Sequence, residues 1–491
     1  MKTRRHQAPV ILDQFGKPVA ASATWGSIYE GANWSRHRGY VPDATGDAAA
    51  TAPAGTRLQL LSLARYLFAN VGFVKGAIRD IARYSVGKGI LPQSQIAEKP
   101  IRQAYEDYWK EWCKIPEVSG RWNYNQICFL SSVAIDVDGD IGRIYTETPE
   151  GFPQLQMVLA HRIGGGEQKN GWTDGVKLNS YERAVSYRVI GTGDKTTDVS
   201  SYNFGLLSDP DRMDEIRGKS SLHHAINNLR DVMEILSAEK LGVKMNSLLA
   251  MIVKSGNGEV ENGFLGKTTE EGTEDSGLRT IEQLYAGAIP RLKAGEDIFA
   301  HQGNRPSTTF AGFLDSLYRD VAAGLDVPGE FLWNAEKVGG AGQRFIIAKA
   351  ARKFEERQCT LIKMCARDWG YVIGKAVKRG DLPFHPDWHR VIWQTPAKIT
   401  VDVGREAAQN REDIKAGLRT LAEDAAERGV DWEDHRDQRE RETVDLIKRA
   451  KSIAKEMDVD FFVALQLLQN QSQAGQPGSP NTVAMQDQPA A

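Results

Sequence analysis

Apolar residues recur every three or four positions along most of this chain, and strand-like stretches gather chiefly between 124 and 190. Phe310, Phe313, Leu314, Leu317, Tyr318 and Val321 share one helical face. Residues 326–332 (DVPGEFL) end that helix: Pro328 lacks an amide hydrogen and pushes Val327 out of the helical region. A glycine-rich stretch without apolar period, 337–344 (KVGGAGQR), comes next. The spacing then predicts a long helix from about Phe345 to Lys378, stopped by Gly380, Leu382 and Pro383. A loop held between two rigid helices is placed to reach something.

The same reading covers the rest of the chain. Residues 58–85 are predicted helical through Leu61, Ala64, Phe68, Val71, Val74, Ile78 and Ile81, with Asn70 and Gly72 able to interrupt. Gly87 and Gly89 close that region, and 101–113 forms another helix carrying Trp109 and Trp112. Between 124 and 190 the pattern turns strand-like at 133–137, 142–146, 155–159 and 185–190. This predicts a mainly antiparallel sheet packed on helices, an α+β unit. A helix over 219–249, capped by Ser220 or Ser221, leads into a strand at 249–254. A Gly/Glu-rich loop (256–277) and a strand pair over 289–299, turning at Ala294-Gly295, complete a compact insertion between helices. Residues 388–400 read as a strand, and 402–428, 432–455 and 461–470 as helices. Two readings stand for the Ala/Gly/Thr/Pro-rich start: an extended arm anchored by Trp25, Tyr29, Trp34 and Tyr40, or disorder. The Gln/Ala/Pro/Ser-rich segment 471–491 is expected to be disordered.

Composition narrows the function. Length 491 and 41% hydrophobic content suffice for more than one core. Sixty-two cationic against 64 acidic residues give a formal charge of −2, so the chain lacks the basic footprint of a protein that grips DNA along a groove. Cys113, Cys128, Cys359 and Cys365 form no zinc spacing and read as free buried thiols. With neither a signal peptide nor an apolar run of spanning length, the sequence predicts a soluble protein made in a cytoplasm.

Candidate chemistry is sparse. Residues 191–196 (GTGDKT) faintly resemble a phosphate loop, but Asp194 stands where glycine is needed and no helix follows, so a turn is predicted. Asp136, Asp138, Asp140 and Glu147 imitate a calcium loop, but Ile141 occupies the obligatory glycine place; a hairpin turn at Asp138-Gly139 is predicted instead. His223-His224 has no ligand partner at a metal spacing and reads as helix surface or interface. No catalytic phrase surrounds the other histidines. Alternating charge over 411–455 reads as a solvated face, with an acidic middle at Asp424, Glu427, Glu433, Asp434 and Asp437. The 337–344 stretch is open to two readings: a plain connector, or a loop projecting into a channel where Lys337, Gln343 and Arg344 meet phosphates without reading bases.

Several phrases, in order, resemble the lambda family of tailed-phage portal proteins. They are LARYLFANVGFVKGAIRDIARYSVGKGI (63–90), DEIRGKSSL (214–222), IPRLKAGE (289–296), YRDVAAGLDVPGEFL (318–332), GGAGQRFIIAKAARKFEERQ (339–358), VDVGREA (401–407), IKAGLRT (414–420) and GVD (429–431). The chain departs from the family at Val403-Gly404, where a proline is usual. It departs again after Asn334, where the serine-rich loop form is missing although Arg344 stands at the family's arginine.

The resemblance implies an α+β portal-type protomer in a ring oligomer of twelve at one capsid vertex of the virion, assembled in the bacterial cytoplasm. It maps an N-terminal arm at 1–57, a wing at 58–218 and 345–400, and stem helices at 219–248 and 307–328. It maps the α/β clip at 249–306, the tunnel loop at 329–344, the helical crown at 401–470 and a tail at 471–491. The implied DNA-channel residues are Lys337, Val338, Gly339, Gly340, Gln343 and Arg344. Implied partners are double-stranded DNA without sequence preference, a terminase motor, the major capsid protein and head–tail adaptors, with no membrane. No catalytic residue, cofactor or metal is implied. The alternatives are a packaging ATPase or nuclease, which needs chemistry at Gly191 or Asp136, or a plain capsid or scaffold protein.

Overall fold

The computed structural model describes residues 46–165, 171–191, 193, 195–248, 252–255, 296–299, 310–333, 339–396, 399, 403–428, 430 and 432–473. The arm up to residue 45, most of the 249–306 insertion, Lys337, Val338 and the tail beyond 473 lie outside the described residues.

Three helices open the described chain: α1 (Ala48–Thr51), α2 (Ala54–Asn70) and α3 (Gly72–Val86). The expected interruption falls at Val71, which takes extended backbone while Asn70 Nδ2 donates to the Tyr66 carbonyl at 2.8 Å. Gly87 ends α3 at φ +52°, where a Cβ would meet Pro396 at 2.8 Å. Next come β1 (Leu91–Ser94), α4 (Lys99–Trp112) and α5 (Tyr124–Asp138).

Helix α5 corrects the strand expected at 133–137. Its start is a capping box: the Gln126 amide donates to Asn123 Oδ1 at 2.9 Å, and the Asn123 amide donates to Gln126 Oε1 at 3.0 Å. Ile127, Cys128, Ser131, Ile135 and Asp136 are all buried, a helical spacing hidden by the apparent alternation of Val133, Ile135 and Val137. Gly139 at φ +94° is the C-cap, so Asp138-Gly139 turns a helix into a strand and is not a hairpin.

The strands β2 (Asp140–Glu147), β3 (Pro153–Leu159), β4 (Trp172–Thr173), β5 (Val176–Leu178), β6 (Ala184–Ile190), β7 (Thr196–Ser200) and β8 (Phe204–Ser208) follow. They form two antiparallel sheets, ordered β3-β2-β8 and β4-β5-β6-β7, where one sheet was expected. Val158, Ile163, Val176, Tyr187, Val189 and Phe204 pack between them. Between β6 and β7, Gly191 N–H donates to the Lys195 carbonyl at 2.7 Å, and a strand follows Lys195 where a phosphate loop would need a helix.

Helix α6 (Ile226–Leu248) starts seven residues later than expected. Ser220 and Ser221 do not cap it: their hydroxyls donate to the Asp136 carbonyl (2.9 Å) and to Asp136 Oδ1 (3.0 Å) at the end of α5. The strands β9 (Ile252–Ser255) and β10 (Glu296–Phe299) pair antiparallel with each other, while the turn expected at Ala294-Gly295 lies outside the described residues. Then come α7 (Phe310–Gly324), α8 (Gly329–Leu332), the forty-residue α9 (Gly340–Arg379) and β11 (Val391–Gln394), which pairs antiparallel with β1.

Four helices close the described part of the chain: α10 (Val403–Lys415), α11 (Leu421–Glu427), α12 (Trp432–Met457) and α13 (Phe461–Gln473). The single helix expected over 402–428 is broken. Gly417 sits at φ +72°, and Thr420 with Glu423 makes a second capping box.

Helix α9 ties two cores together. Leu361, Met364, Cys365, Trp369, Val372 and Ile373 enter a core with Trp109, Trp112 and Tyr124. Ala350 and Phe354 enter another, with residues of α2, α3, α6 and α7. All four cysteines are free, but Cys359 is exposed where burial was expected.

Candidate functional site

The site begins at the joint between α7 and α8. Asp326 adopts φ +57°, and Pro328 starts α8 at φ −57° with its missing amide hydrogen cost-free there. Val327 and Pro328 are buried. Aromatic rings then clamp α8. Phe73 lies 4.6 Å from Tyr318 and 6.3 Å from Trp333 between centroids, and Phe331 lies 5.6 Å from Tyr84 and 5.7 Å from Phe354. The rings therefore fix α8 as far as Trp333.

The 337–344 stretch is shorter as a loop than its glycines predict. Gly339 is the N-cap of α9, and Gly340, Gln343 and Arg344 are helical, with Gln343 N–H donating to the Gly339 carbonyl at 3.0 Å. Glycine tolerates a helix at about 1 kcal/mol per residue when the remaining turns carry it, and α9 has forty residues to do so. Lys337 and Val338 lie outside the described residues. The first side chain of α9 to be buried is Ala350, so the helix end stands clear of the core. From 340 to 354 it carries Arg344, Lys349, Arg352 and Lys353 and no carboxylate. Arg344, Lys349 and Arg352 are exposed, while Lys353 is held by Asp326 at 3.2 Å. A helix N-terminus adds partial positive charge of its own, so this end favours anions.

Behind that end, buried ion pairs hold α9 in place. Asp368, fully buried, pairs with Arg143 of β2 and accepts the Tyr124 and Tyr145 hydroxyls, each at 2.8 Å. Burial pushes the Asp368 carboxyl up; Arg143 and the two tyrosines oppose it. Burial works against the Arg143 charge most strongly of any single influence, but Asp368 together with Tyr145, Tyr124 and Cys128 outweighs it, and Arg143 is held above the usual arginine range. One step along α9, Arg357 reaches Asp136 at 2.6 Å and Asp209 at 3.3 Å.

The acidic run that imitates a calcium loop is thereby accounted for. Asp136 pairs with Arg357; Asp138 takes Arg65 in a two-point bond at 2.6 and 2.7 Å; Asp140 takes Arg217 at 2.6 and 2.9 Å. Three carboxylates from one segment bind three arginines from three parts of the chain. Among the described residues, no group of three or more His, Cys, Asp or Glu could hold a metal. His224 lies against α7, where a Cβ on Gly324 would fall 1.7 Å from its Nε2, and it remains exposed.

Sequence reasoning missed Arg143, Arg357 and Asp368. The signal was there for two of them: Arg357 and Asp368 interrupt the apolar stripe Phe354, Leu361, Met364, Cys365, Val372 on the buried face of α9. Arg143 sits in an alternating strand with no comparable mark.

Fold and site together define an α+β protein whose inward charges pin its elements to one another. The chain belongs to the phage portal proteins of the lambda family, whose pattern it matches over residues 35–358. It is 24% identical over 283 residues to a probable portal protein of Halomonas phage phiHAP-1. That match spans 52% of this chain and 53% of the relative, about half the length of each. A chain in the neck of a native GTA particle, computed with C12 symmetry, is similar at 15% identity and TM-score 0.48, over 78% of this chain and 97% of that one. An HK97 family phage portal protein from Corynebacterium diphtheriae is similar at 11% identity and TM-score 0.31, over 63% and 87%. Among the described residues no helix is long and apolar enough to cross a membrane.

Proposed function

We propose that copies of this chain close into a ring at one capsid vertex and form the conduit through which double-stranded DNA is packaged and ejected. Family membership supports the role, and one observation carries the mechanism: the exposed, acid-free, cationic N-terminal end of α9, reached through a glycine-rich segment. Such an end touches phosphates without reading bases. The remaining charge balance suits a passage. A formal charge of −2 keeps tight phosphate contacts few, and each such contact would add salt-sensitive affinity and drag.

In this reading residues 58–218 and 345–400 form the wing, 219–248 and 307–328 the stem, 249–306 the clip, 329–344 the tunnel loop and 401–470 the crown. A separate terminase motor, docked on the clip, supplies the energy; head–tail adaptors bind later, and the major capsid protein surrounds the vertex. Negative-stain images of the purified protein test the ring: annular particles with a central hole support it, and compact single particles overturn it. Lys337→Ala with Arg344→Ala tests the loop. Rings are expected to survive while DNA retention or packaging falls. Loss of the rings themselves would move these residues to the subunit interface.

A further inference from the structure

Strand β3 lies at the edge of its sheet, with β2 on one side. Its other side is covered at one point: Leu155 N–H donates to the Pro116 carbonyl at 2.8 Å, and Val118 N–H donates to the Leu155 carbonyl at 3.0 Å. Leu155 thus turns its backbone groups away from β2, and strand alternation turns the Met157 and Leu159 amides the same way. Among the described residues, neither the Met157 nor the Leu159 N–H has a backbone partner. A strand edge with unused donors is a template for another strand. A groove of about 510 Å³ meets this edge, lined by Phe68, Trp122, Leu130, Val133, Met157 and Leu159. Trp122, Leu130 and Leu159 stay 38, 37 and 43% exposed, so an apolar patch is left uncovered. Of the cations in its wall, Arg65 is tied to Asp138, but Arg121 is exposed and has no carboxylate partner among the described residues.

The chain carries a segment of matching chemistry. Residues 18–35 hold Trp25, Ile28, Tyr29 and Trp34 and a single charge, Glu30. Extended backbone would put Trp25, Ser27 and Tyr29 on one face. The described chain begins at Gly46, and Ala48 N–H is held by Asp214 Oδ2 at 2.7 Å. Phe68 stands fourteen residues along α2 from Ala54, about 21 Å, and the eight residues from Gly46 to Ala54 add at most about 27 Å. The seventeen residues from Tyr29 to Gly46 span up to about 56 Å, enough to return to the groove. We propose that residues 24–30 lie along the β3 edge of their own chain as an added strand, with Trp25 and Tyr29 in the groove and Glu30 near Arg121. The inference does not rest on the ring reading, and it uses no residue of the 337–344 stretch.

Amide hydrogen exchange on the purified full-length protein, resolved to single residues, tests the pairing. The Met157 and Leu159 amides are expected to exchange slowly. Trp25→Ser with Tyr29→Ser should speed both by about ten-fold. Gln156 and Val158, whose amides turn inward to β2, should not change and serve as the control. A benzophenone side chain at position 29 tests the place: it should cross-link to peptides containing residues 121–130 or 157–159. Leu159→Glu puts a charge into the groove at an exposed position and should cut that yield by about ten-fold. Mixing unlabelled and 15N-labelled protein separates the sources, since cross-links are expected only within one isotope. Rapid exchange at Met157 and Leu159 in the natural chain, cross-links to other surfaces, or a Leu159→Glu yield like the natural one overturns the proposal. Mixed-isotope cross-links overturn it in favour of a second copy's segment.

Discussion

At the scale of single residues, Asp368 carries the clearest consequence. It is completely buried, and its loss leaves the Arg143 charge without a counter-ion inside the core. Asp368→Ala is expected to destabilise the protein by about 3–5 kcal/mol, read as a lower midpoint in urea. Replacing both partners, Arg143→Met with Asp368→Leu, should recover only part of that loss, because the buried charge is removed but the Tyr124 and Tyr145 hydroxyls are left without their acceptor. His161 supplies a pH dependence. Partial burial, then the Arg65 charge, hold its imidazole below the usual value, and its Nδ1 lies 3.1 Å from Arg65 Nη2. A depressed histidine binds fewer protons folded than unfolded. Its contribution is therefore complete above about pH 6.5 and is lost as pH falls through that value toward the folded one. His161→Gln should flatten the acid side of a stability curve measured between about pH 7.5 and 5.5. None of these pairings could be read from the sequence, because each joins residues far apart in the chain: Asp368 lies 225 positions from Arg143.

At the scale of elements, local chemistry outweighed periodicity. The residues of α5 alternate well enough to imitate a strand, and the capping box at Asn123 decides otherwise. Asn123→Ala should cost about 1 kcal/mol in thermal stability. Gly139, at the other end, has two reasons to be glycine. Its φ is +94°, and a Cβ would fall 2.6 Å from the Gly218 carbonyl group. Gly139→Ala should cost about 2 kcal/mol or more, since backbone must move to admit the methyl group. Helices with a strong stripe and a glycine stop, such as α3 and α9, were legible to within a few residues at their C-terminal ends. The start of α9 was not, because glycines argue for a loop until a long helix behind them supplies the hydrogen bonds. The α6 start was misplaced for a tertiary reason: the expected capping serines are engaged by Asp136.

At the scale of the molecule, opposite charges dock the C-terminal helices on the body. Arg102 of α4 reaches both carboxylate oxygens of Glu433 at 2.6 Å, and Lys99 meets Asp437 at 2.8 Å. Part of the acidic middle of the 411–455 region, expected as a solvated face, is thus turned to an internal partner. These pairs are partly exposed and individually weak, so they place α12 without welding it. Glu433→Lys should free this region to limited proteolysis while leaving the melting of the α4–α5–α9 core in place. The order of the family phrases made the α+β class and the portal family legible before any contact was known. The division of strands into two sheets was not, because period-two alternation gives each strand a buried face without naming the sheet it joins.

Forty residues of unbroken helix make α9 a strut about 60 Å long. A stiff member passes force along its axis instead of absorbing it at the tip. Any tug on the exposed end is therefore felt where the strut is bolted down, at Arg357 and Asp368, whose counter-ions belong to α5 and β2. Loosening a bolt should make the far end more compliant, so the mechanical response of the tip is set some 20 Å or more away from whatever pulls on it.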